Sequence, residues 1–474
     1  MITIVQCNKE IQGILGLQDY SDSIKYRPII YLMEQEISDG YLVENLLTRE
    51  LVLLTKTEYN LFKNVHFNEK FMKFFVQHWF YIPEKISEKS IYYILSHNIK
   101  QKRPKLGINR KNMFTIFTTT DCNARCPYCY EQGIDAISMD HKVALNTAKY
   151  IESSHMNHTK IHLKWFGGEP LLNGDVINII CDYLTNSGVD FHSSITSNGY
   201  LFDKYADKEI IEKWHLKRTQ ITLDGTKDFY QKTKNYVNQD KHAFEKVIAN
   251  IQRLTNIGVN VVIRMNISAD NEKELLSLID YLKVTFNGNK HLKIYSYVLF
   301  NEGSQDTAPM TLSQREQACE AFKKIEKKLS DSGFGIYGFR FPSICTSHCM
   351  ADNGSSVCIT PTGYLTLCEH HPNDEIIGNI YEGITDCSTI KSWSNRLPET
   401  AECITCKYYP QCITLKKCPS FSKGCDNFLR LRKELLTKFT MENAYKKYLK
   451  EVPCEKSNQQ SQRRSRIHGK TNTE

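Results

Sequence analysis

Cys122, Cys126 and Cys129 stand in one short stretch, with three residues between the first two and two between the last two. Thiolates at this spacing can wrap one small iron–sulfur cluster. A [4Fe–4S] cube normally takes four thiolates, so a cube held by these three alone would keep one iron open to an outside ligand. Zinc is the main alternative. Zinc would require a fourth ligand nearby, and the nearest other cysteines are Cys7 and Cys181.

A second group of cysteines lies late in the chain. Ten of the seventeen cysteines fall between Cys345 and Cys425. The sequence does not open with the basic and apolar segments of an export signal, so we expect a cytoplasmic protein whose thiols stay reduced. Metal or cluster ligation is then the better use of so many thiols. We therefore expect residues 345–426 to form a small domain built around metal.

The composition is that of an ordinary globular protein. The chain has 474 residues, of which 41% are hydrophobic and 24% charged, and about three domains are expected because single cores stop growing at roughly 250–300 residues. No apolar run approaches the roughly 18–20 residues of a membrane span. The formal net charge of +8 is diffuse. We therefore expect neither a membrane nor a nucleic acid as a partner.

The elements that must position the first three cysteines begin near residue 113, where strands and helices start to alternate. Six strands in βα repeats predict a parallel sheet with helices outside it. Six is two short of a complete (β/α)₈ barrel. The predicted fold class is therefore α/β, with a partial, TIM-like (β/α)₆ barrel over residues 106–300. The predicted strands are 113–119, 161–166, 189–196, 219–223, 260–266 and 291–300.

In such a barrel the reactive groups lie on loops at the C-terminal ends of the strands. The three cysteines follow the first strand. Polar residues and glycines follow the next strands or end them, and we expect them to converge on one pocket. These residues are Gly167, Gly168, Glu169, Ser197, Asn198, Asp224 and Arg264.

The remaining segments flank the barrel. Residues 1–105 combine short strands, at 29–33, 41–45, 51–54 and 80–83, with about three helices, which predicts a small α+β, winged-helix-like module. Such a module could bind a peptide along a strand edge or cap the larger domain, and the pattern leaves both open. Residues 301–344 are a connecting segment with one helix. Residues 427–474 form a charged C-terminal helix and a tail of disordered composition.

Taken together, these residues resemble the radical S-adenosylmethionine (radical SAM) superfamily, whose CxxxCxxC motif is matched by Cys122, Cys126 and Cys129, with the aromatic Tyr128 before the last cysteine. The resemblance implies that the open iron binds the amino and carboxylate groups of S-adenosylmethionine. Electron transfer would then break the sulfonium bond and give a 5′-deoxyadenosyl radical, which removes a hydrogen atom from the substrate. The protein would position, insulate and tune this reaction.

The same resemblance assigns roles to the rim residues. Gly167 and Gly168 would let the backbone approach the methionyl part of the cofactor, and Glu169 would accept hydrogen bonds from its ammonium group. Ser197 and Asn198 suit the ribose and the carboxylate.

Three further residues complete the expected cofactor site. Arg264 would pair with the carboxylate through its planar fork. Tyr128 could lie near the adenine ring, and Asp224 belongs to the same set.

The later cysteines resemble the SPASM extension, which carries two additional [4Fe–4S] clusters. The order of Cys349, Gly363 and Cys368 fits the first half of its pattern, although five residues rather than three separate Cys412 from Cys418. If the ligands of the two clusters interleave along the sequence as in related enzymes, the first auxiliary cluster takes Cys345, Cys349, Cys368 and Cys418. The second then takes Cys403, Cys406, Cys412 and Cys425. The cysteines expected to be unligated are Cys7, Cys181, Cys319, Cys358, Cys387 and Cys454.

Glu369 directly follows one of these predicted ligands. A carboxylate beside a cluster could take a proton as an electron leaves the substrate, and the sulfatase-maturing branch of the superfamily uses an acidic residue in this way. A role as a hydrogen-bond acceptor that orients a ligand is equally open.

SPASM enzymes mostly act on peptides or proteins, and the pattern of the N-terminal module is similar to the leader-binding region of peptide maturases. The leading hypothesis is a radical SAM peptide maturase that binds the leader of a precursor peptide and modifies its core. The product would be a thioether, carbon–carbon or ether crosslink, or an epimerised residue, with flavodoxin or ferredoxin as the electron donor. The alternatives are a sulfatase-maturing enzyme and a non-catalytic, zinc-stabilised peptide-binding protein. Tyr230 and Lys234 stand where sulfatase maturases usually carry a His and an Arg.

Overall fold

The computed structural model describes residues 2–64, 69–102, 111–155, 159–299, 310–334, 344, 350–352, 354–370, 375–393, 395, 399–412, 416–417, 425 and 427–451. The expected ligands Cys345, Cys349 and Cys418 lie outside the described residues.

The N-terminal module contains two small antiparallel sheets in the described residues. Its strands are β1 (Thr3–Gln6), β2 (Tyr26–Pro28), β3 (Leu32–Ile37), β4 (Gly40–Asn45), β5 (Glu50–Leu54) and β6 (Tyr81–Pro83). Its helices are α1 (Lys9–Leu15), α2 (Lys56–Asn64), α3 (Glu69–Gln77) and α4 (Glu88–Lys102). The larger sheet has the order β1-β5-β4-β3, and β2 pairs with β6.

Successive side chains of β4 and β5 point to opposite faces of the larger sheet, and both faces are apolar. Val43 and Val52 point to a core that includes residues of α2 and α3, whereas Leu42 and Leu51 point to a second core that includes residues of α1 and α4. The predicted strand 29–33 is wrong, because this apolar run spans the bend between β2 and β3.

The barrel strands are all parallel and follow one another in sequence order, which confirms the predicted partial barrel. They are β7 (Met113–Thr119), β8 (Ile161–Gly167), β9 (Phe191–Ser197), β10 (Leu216–Thr222), β11 (Asn260–Ile267) and β12 (Leu292–Val298). The helices are α5 (His141–Ser154), α6 (Gly174–Asn186), α7 (Lys208–Lys213), α8 (Lys227–Lys234), α9 (Ala243–Asn256) and α10 (Glu272–Thr285). The sequence pattern did not predict α8.

Side chains alternate along the barrel strands between the outer helices and the lumen. On β8, Leu163 and Trp165 are fully buried in the apolar core, while the alternate residues His162 and Lys164 are only half-buried. The lumen is therefore lined partly by polar and ionisable groups.

The cysteine-rich segment continues the barrel sheet. Its described elements are β13 (Ser356–Ile359), β14 (Tyr364–Thr366), β15 (Gly378–Asn379), β16 (Gly383–Ile384), α12 (Cys387–Trp393) and α13 (Ala401–Ile404). Helix α11 (Leu312–Asp331) lies in the connecting segment before it, and α14 (Asn427–Glu451) is the C-terminal helix after it. Strand β13 pairs in parallel with β7, and β14 to β16 follow as antiparallel neighbours. The first barrel strand is thus an inner strand of a sheet with ten described strands.

The N-terminal module packs against the late segments of the chain. Tyr409, which precedes Cys412, shares its apolar core, and its hydroxyl lies 3.1 Å from that of Tyr93 on α4. From α14, Tyr445 donates a hydrogen bond of 2.6 Å to Asp39. Among the described helices, none has the length and apolar character needed to cross a membrane.

Candidate functional site

The cysteine loop, residues 120–132, follows the C-terminal end of β7. Cys122, Cys126 and Cys129 are all partly exposed there. Two of the hydrogen bonds that shape it come from backbone amides of the cysteines: the Cys122 amide donates to the side-chain carboxylate of Asp121 (2.8 Å), and the Cys129 amide donates to the Cys126 carbonyl (3.1 Å). The Ala124 amide points at the Cys122 sulfur, 3.4 Å away. The loop therefore presents three thiols and at least one donor to a sulfur atom.

The loop after β8 lies directly against the cysteine loop. A Cβ on Gly167, whose φ is +132°, would lie 2.0 Å from the carbonyl oxygen of Thr119. A Cβ on Gly168 would lie 2.3 Å from that of Asp121. Gly167 is therefore required where the ends of β7 and β8 meet, and Gly168 where the loop after β8 meets the cysteine loop. The approach of these glycines to a cofactor stays a prediction.

Glu169 joins this loop to the one after β9. Its side chain is completely buried and accepts hydrogen bonds from the Ser197 hydroxyl (2.9 Å) and from the amides of Asn198 (2.8 Å) and Leu171 (3.1 Å). Burial raises the pKa of this carboxyl to about 7. A carboxylate offers about four lone-pair positions. Three donors leave one position for a ligand, which fits the predicted contact with an ammonium group.

Asn198 connects the β9 loop to the cysteine loop. Its amide nitrogen lies 2.6 Å from Asn123 Oδ1 and 3.9 Å from Cys122 Sγ. Its oxygen accepts a hydrogen bond of 3.0 Å from the Tyr200 amide. The amide of Asn198 is therefore oriented by the protein, with its donor towards the thiols.

Tyr128, Asp224 and Lys234 form a buried network behind the thiols. The hydroxyl of Tyr128 donates to Asp224 Oδ2, and Lys234 Nζ lies 3.0 Å from both groups. The side chains of Lys234 and Asp224 are only 3% and 2% exposed. Asp224 Oδ1 is also buried and has no hydrogen-bond partner among the residues that the structure describes. This acceptor fits a hydroxyl of a bound cofactor.

The Lys234 network has a strong effect on its neighbours. Burial is the largest single influence and disfavours the ammonium, but Asp224 and the neighbouring Tyr128, Cys126 and Tyr230 together outweigh it, so the pKa of Lys234 lies well above its ordinary value. Burial also raises the pKa of the Cys126 thiol, and Lys234 opposes this rise more strongly than Asp224 adds to it. Sequence reasoning noted Lys234 but gave it no role.

Arg264 lies in the lumen, on β11. Its Nε donates to Asn266 Oδ1 (2.8 Å), and its guanidinium carbon is 5.5 Å from the centre of the Tyr297 ring. The guanidinium of Arg432, from α14, is 4.8 Å from the same ring. The structure therefore brings Arg264 to the barrel interior beside a second buried cation.

Glu369 is ion-paired with Lys164 of β8, which sequence reasoning missed. Burial alone would raise the pKa of Glu369, but Lys164, with smaller contributions from His370 and Arg264, outweighs it and the pKa lies below its ordinary value. Glu131, at the end of the cysteine loop, behaves in the opposite way: burial and then Glu369 raise its pKa to about 8. Glu369 is therefore anionic at neutral pH, and its role as a base stays a prediction.

The described auxiliary cysteines fall in two places. Cys368 packs against the barrel core. Cys403 and Cys406 pack against the apolar core of the N-terminal module. The pKa of the Cys425 thiol is raised mainly by burial, and the nearby Cys412 adds to this rise.

Across the described residues, no three His, Cys, Asp or Glu side chains converge on a point that could hold one metal ion. A tetrahedral zinc site requires such convergence. A [4Fe–4S] cube spreads its thiolates over separate irons, so the three thiols of the cysteine loop need not converge on one point to hold it.

Residues 116–282 match the model of the radical SAM superfamily. This part of the chain is a radical SAM domain. Its cofactors are a [4Fe–4S] cluster and S-adenosylmethionine, and the radical SAM domain makes the chain an enzyme. The alternative of a non-catalytic zinc-stabilised protein is therefore removed.

Relatives of the radical SAM domain differ in how much of the chain they match. The chain is 23% identical to the Fe-coproporphyrin III synthase of Methanosarcina barkeri over 50% of its own length and 56% of that protein. It is 23% identical to the cysteine-type anaerobic sulfatase-maturating enzyme of Clostridium novyi over 68% of its length and 94% of that protein. The solved structure of native anSMEcpe with bound AdoMet and Cp18Cys peptide superposes with a TM-score of 0.53 at 13% identity, covering 71% of this chain and 99% of that one. At this identity the likeness establishes the shared fold.

Proposed function

We propose that this radical SAM enzyme abstracts a hydrogen atom from a residue of a precursor peptide whose leader binds the N-terminal module. The product would be a thioether, carbon–carbon or ether crosslink, or an epimerised residue. One observation carries the proposal: in the described residues, β3 lies at the edge of its sheet and pairs only with β4. An extended peptide can add to such an edge as a further strand.

Strand β3 is one of the two edge strands of this sheet, the other being β1, and Gln35 of β3 contacts Glu442 of α14. Helices cover both faces of the sheet, as the two apolar cores require. Along β3, Met33 is buried in one of these cores, whereas Glu36 is exposed and the other residues are half-buried. Backbone hydrogen bonds at this edge would supply affinity, and side chains at alternate positions would supply specificity.

The chain's own residues would prepare the reaction at the rim of the barrel. When bound, the cluster and S-adenosylmethionine supply a 5′-deoxyadenosyl radical. Glu169 would bind the ammonium of the cofactor and Arg264 its carboxylate. Lys164 holds Glu369 at the lumen, where the carboxylate would accept a proton from the substrate.

We further propose two auxiliary [4Fe–4S] clusters on the cysteines assigned above, and an electron donor such as flavodoxin or ferredoxin. The second cluster would border the N-terminal module, since Cys403 and Cys406 share its apolar core. Removing the whole module would uncover that core. Point substitutions on β3 are therefore the better test of leader binding.

Gln35→Pro and Glu36→Pro provide that test. Adjacent amides on a strand point in opposite directions, so one of these residues donates towards β4 and the other towards the open edge. Proline cannot donate, but it is tolerated on the open side of an edge strand. One variant should therefore keep its thermal stability and bind the precursor about fivefold more weakly, because a hydrogen bond is worth about 1 kcal/mol.

Fluorescence anisotropy with the labelled precursor encoded beside the gene measures this binding. Gln35→Ala and Glu36→Ala are the controls, because each removes the side chain but keeps the backbone amide. Gln35→Ala also shows separately what the loss of the contact between Gln35 and Glu442 does. Wild-type affinity in both proline variants would contradict leader binding at this edge.

Sulfatase maturation is the second candidate, and the match to the Clostridium novyi enzyme over 68% of this chain favours it. A short sulfatase peptide without any leader discriminates between the two. Our proposal predicts no formylglycine in that peptide and a mass change in the precursor. The reverse pattern, measured by mass spectrometry under the same reducing conditions, would establish the second candidate.

A further inference from the structure

Lys234 contacts the cysteine loop through both its backbone and its side chain. Its carbonyl oxygen accepts a hydrogen bond of 2.9 Å from the Arg125 amide, directly before Cys126. Its Nζ lies 3.0 Å from the hydroxyl of Tyr128, which stands between Cys126 and Cys129 in the sequence. The end of α8 therefore fixes the part of the loop that carries two of the three thiols.

The charge of Lys234 is shielded from water. Its ammonium lies 5.6 Å from the centre of the Tyr128 ring and 5.8 Å from that of Tyr230. Tyr230 is itself completely buried, and its hydroxyl is 2.9 Å from that of Tyr236. In such surroundings a charge acts over a longer distance than at the surface, because neither water nor salt screens it.

The ammonium of Lys234 contacts the hydroxyl of Tyr128, the residue between Cys126 and Cys129. It lowers the pKa of the Cys126 thiol more than the Asp224 carboxylate raises it. A nearby positive charge favours the more negative, reduced form of an iron–sulfur cluster, and the local charge is one of the factors that set cluster potentials.

We propose that Lys234 is a tuning and positioning residue of the radical SAM cluster, which raises the cluster's reduction potential through its ammonium and holds the cysteine loop through Tyr128. Asp224 fixes the ammonium and limits the size of this effect. The inference concerns the radical SAM domain alone, so it does not depend on the identity of the peptide substrate.

A merely structural role would give a different result from an electrostatic one. If Lys234 only braces the loop, damage to either partner of the ion pair should change the potential in the same direction or leave it unchanged. If its charge acts on the cluster, removal of the ammonium and removal of the carboxylate should have opposite effects.

Redox titrations of the reconstituted full-length protein, followed by electron paramagnetic resonance, test this difference. The signal that changes when S-adenosylmethionine is added identifies the radical SAM cluster among the others. At a fixed solution potential, Lys234→Met should lower the ratio of reduced to oxidised cluster about tenfold, equivalent to about 59 mV for one electron. Asp224→Asn should raise the ratio, and Lys234→Arg should keep it near the wild-type value.

Tyr128→Phe is the matched control, because it removes a hydroxyl from the same network and no charge. It should leave the ratio within about twofold of wild type. If Lys234→Met does not take up the cluster, Asp224→Asn and Lys234→Arg still decide the question. The proposal is overturned if Asp224→Asn lowers the ratio, or if Tyr128→Phe lowers it as far as Lys234→Met does.

Discussion

Replacing Cys126 with alanine is expected to reduce the formation of 5′-deoxyadenosine to background. The cysteine loop offers three thiols for a cube that normally takes four, so the loss of one leaves two irons without a protein ligand. Cys126 also lies in the middle of the loop, where the neighbouring Arg125 amide is anchored to Lys234. Chromatography of reaction mixtures containing dithionite and S-adenosylmethionine measures the product.

Cys181→Ala is the matched control for this variant. Cys181 is a buried thiol of α6 in the barrel core, and it was predicted to be unligated. Its loss removes a small apolar group, which should cost about 1 kcal/mol of stability without changing iron content or cofactor cleavage. Cleavage retained by Cys126→Ala, or lost equally in both variants, would contradict the assignment of the open cluster to this loop.

The periodicity of the sequence predicted the barrel well, because each βα repeat is a local pattern. Strand 113–119 has the same bounds in the structure as in the prediction. Strand β13 was missed because it has only four residues and pairs with β7, more than two hundred residues earlier. A short apolar run gives no indication of its partner strand.

In the candidate site too, the local motifs were predicted from the sequence, whereas contacts between distant residues were not. The motif placed the three cysteines and Glu169 on neighbouring loops, and the structure brings these loops together. The structure gives a reason for the two glycines that the sequence did not supply: the backbone of Gly167 lies against the end of β7, and that of Gly168 lies against the cysteine loop. Lys164 was missed because its partner, Glu369, is 205 residues away. The available signal was that two ionisable residues, His162 and Lys164, alternate with apolar residues along the strand.

The rim is held together by polar contacts between loops. Glu169 joins the loops after β8 and β9, Asn198 joins the β9 loop to the cysteine loop, and Lys234 joins α8 to the same loop. Each contact crosses between elements that are distant in sequence. Changes in one of these side chains should therefore affect both the order of the rim and the binding of the cofactor.

Glu169→Gln should separate these two effects. In the variant, the side-chain NH₂ group must face either the Leu171 amide or the Asn198 amide, both of which now donate to the carboxylate. A buried donor left without an acceptor costs about 1–3 kcal/mol, which chemical denaturation can measure. The charge that would bind the cofactor's ammonium is also lost. A hydrogen bond to a charged group is worth about 1.5–3 kcal/mol, so the Kd for S-adenosylmethionine should rise by one to two orders of magnitude.

Ser197→Ala is the control, because it removes one donor to Glu169 and keeps the carboxylate. It should lower stability by about 1 kcal/mol while changing the affinity for S-adenosylmethionine less than Glu169→Gln does. The pH dependence gives a second distinction. Since the pKa of Glu169 is about 7 in the protein alone, protonation below this pH removes the charge that the ammonium requires. Wild-type affinity, measured by equilibrium dialysis under anaerobic conditions, should therefore fall as the pH is lowered through 7, whereas Glu169→Gln should lack this dependence. An equal pH dependence in both proteins would show that another group binds the ammonium.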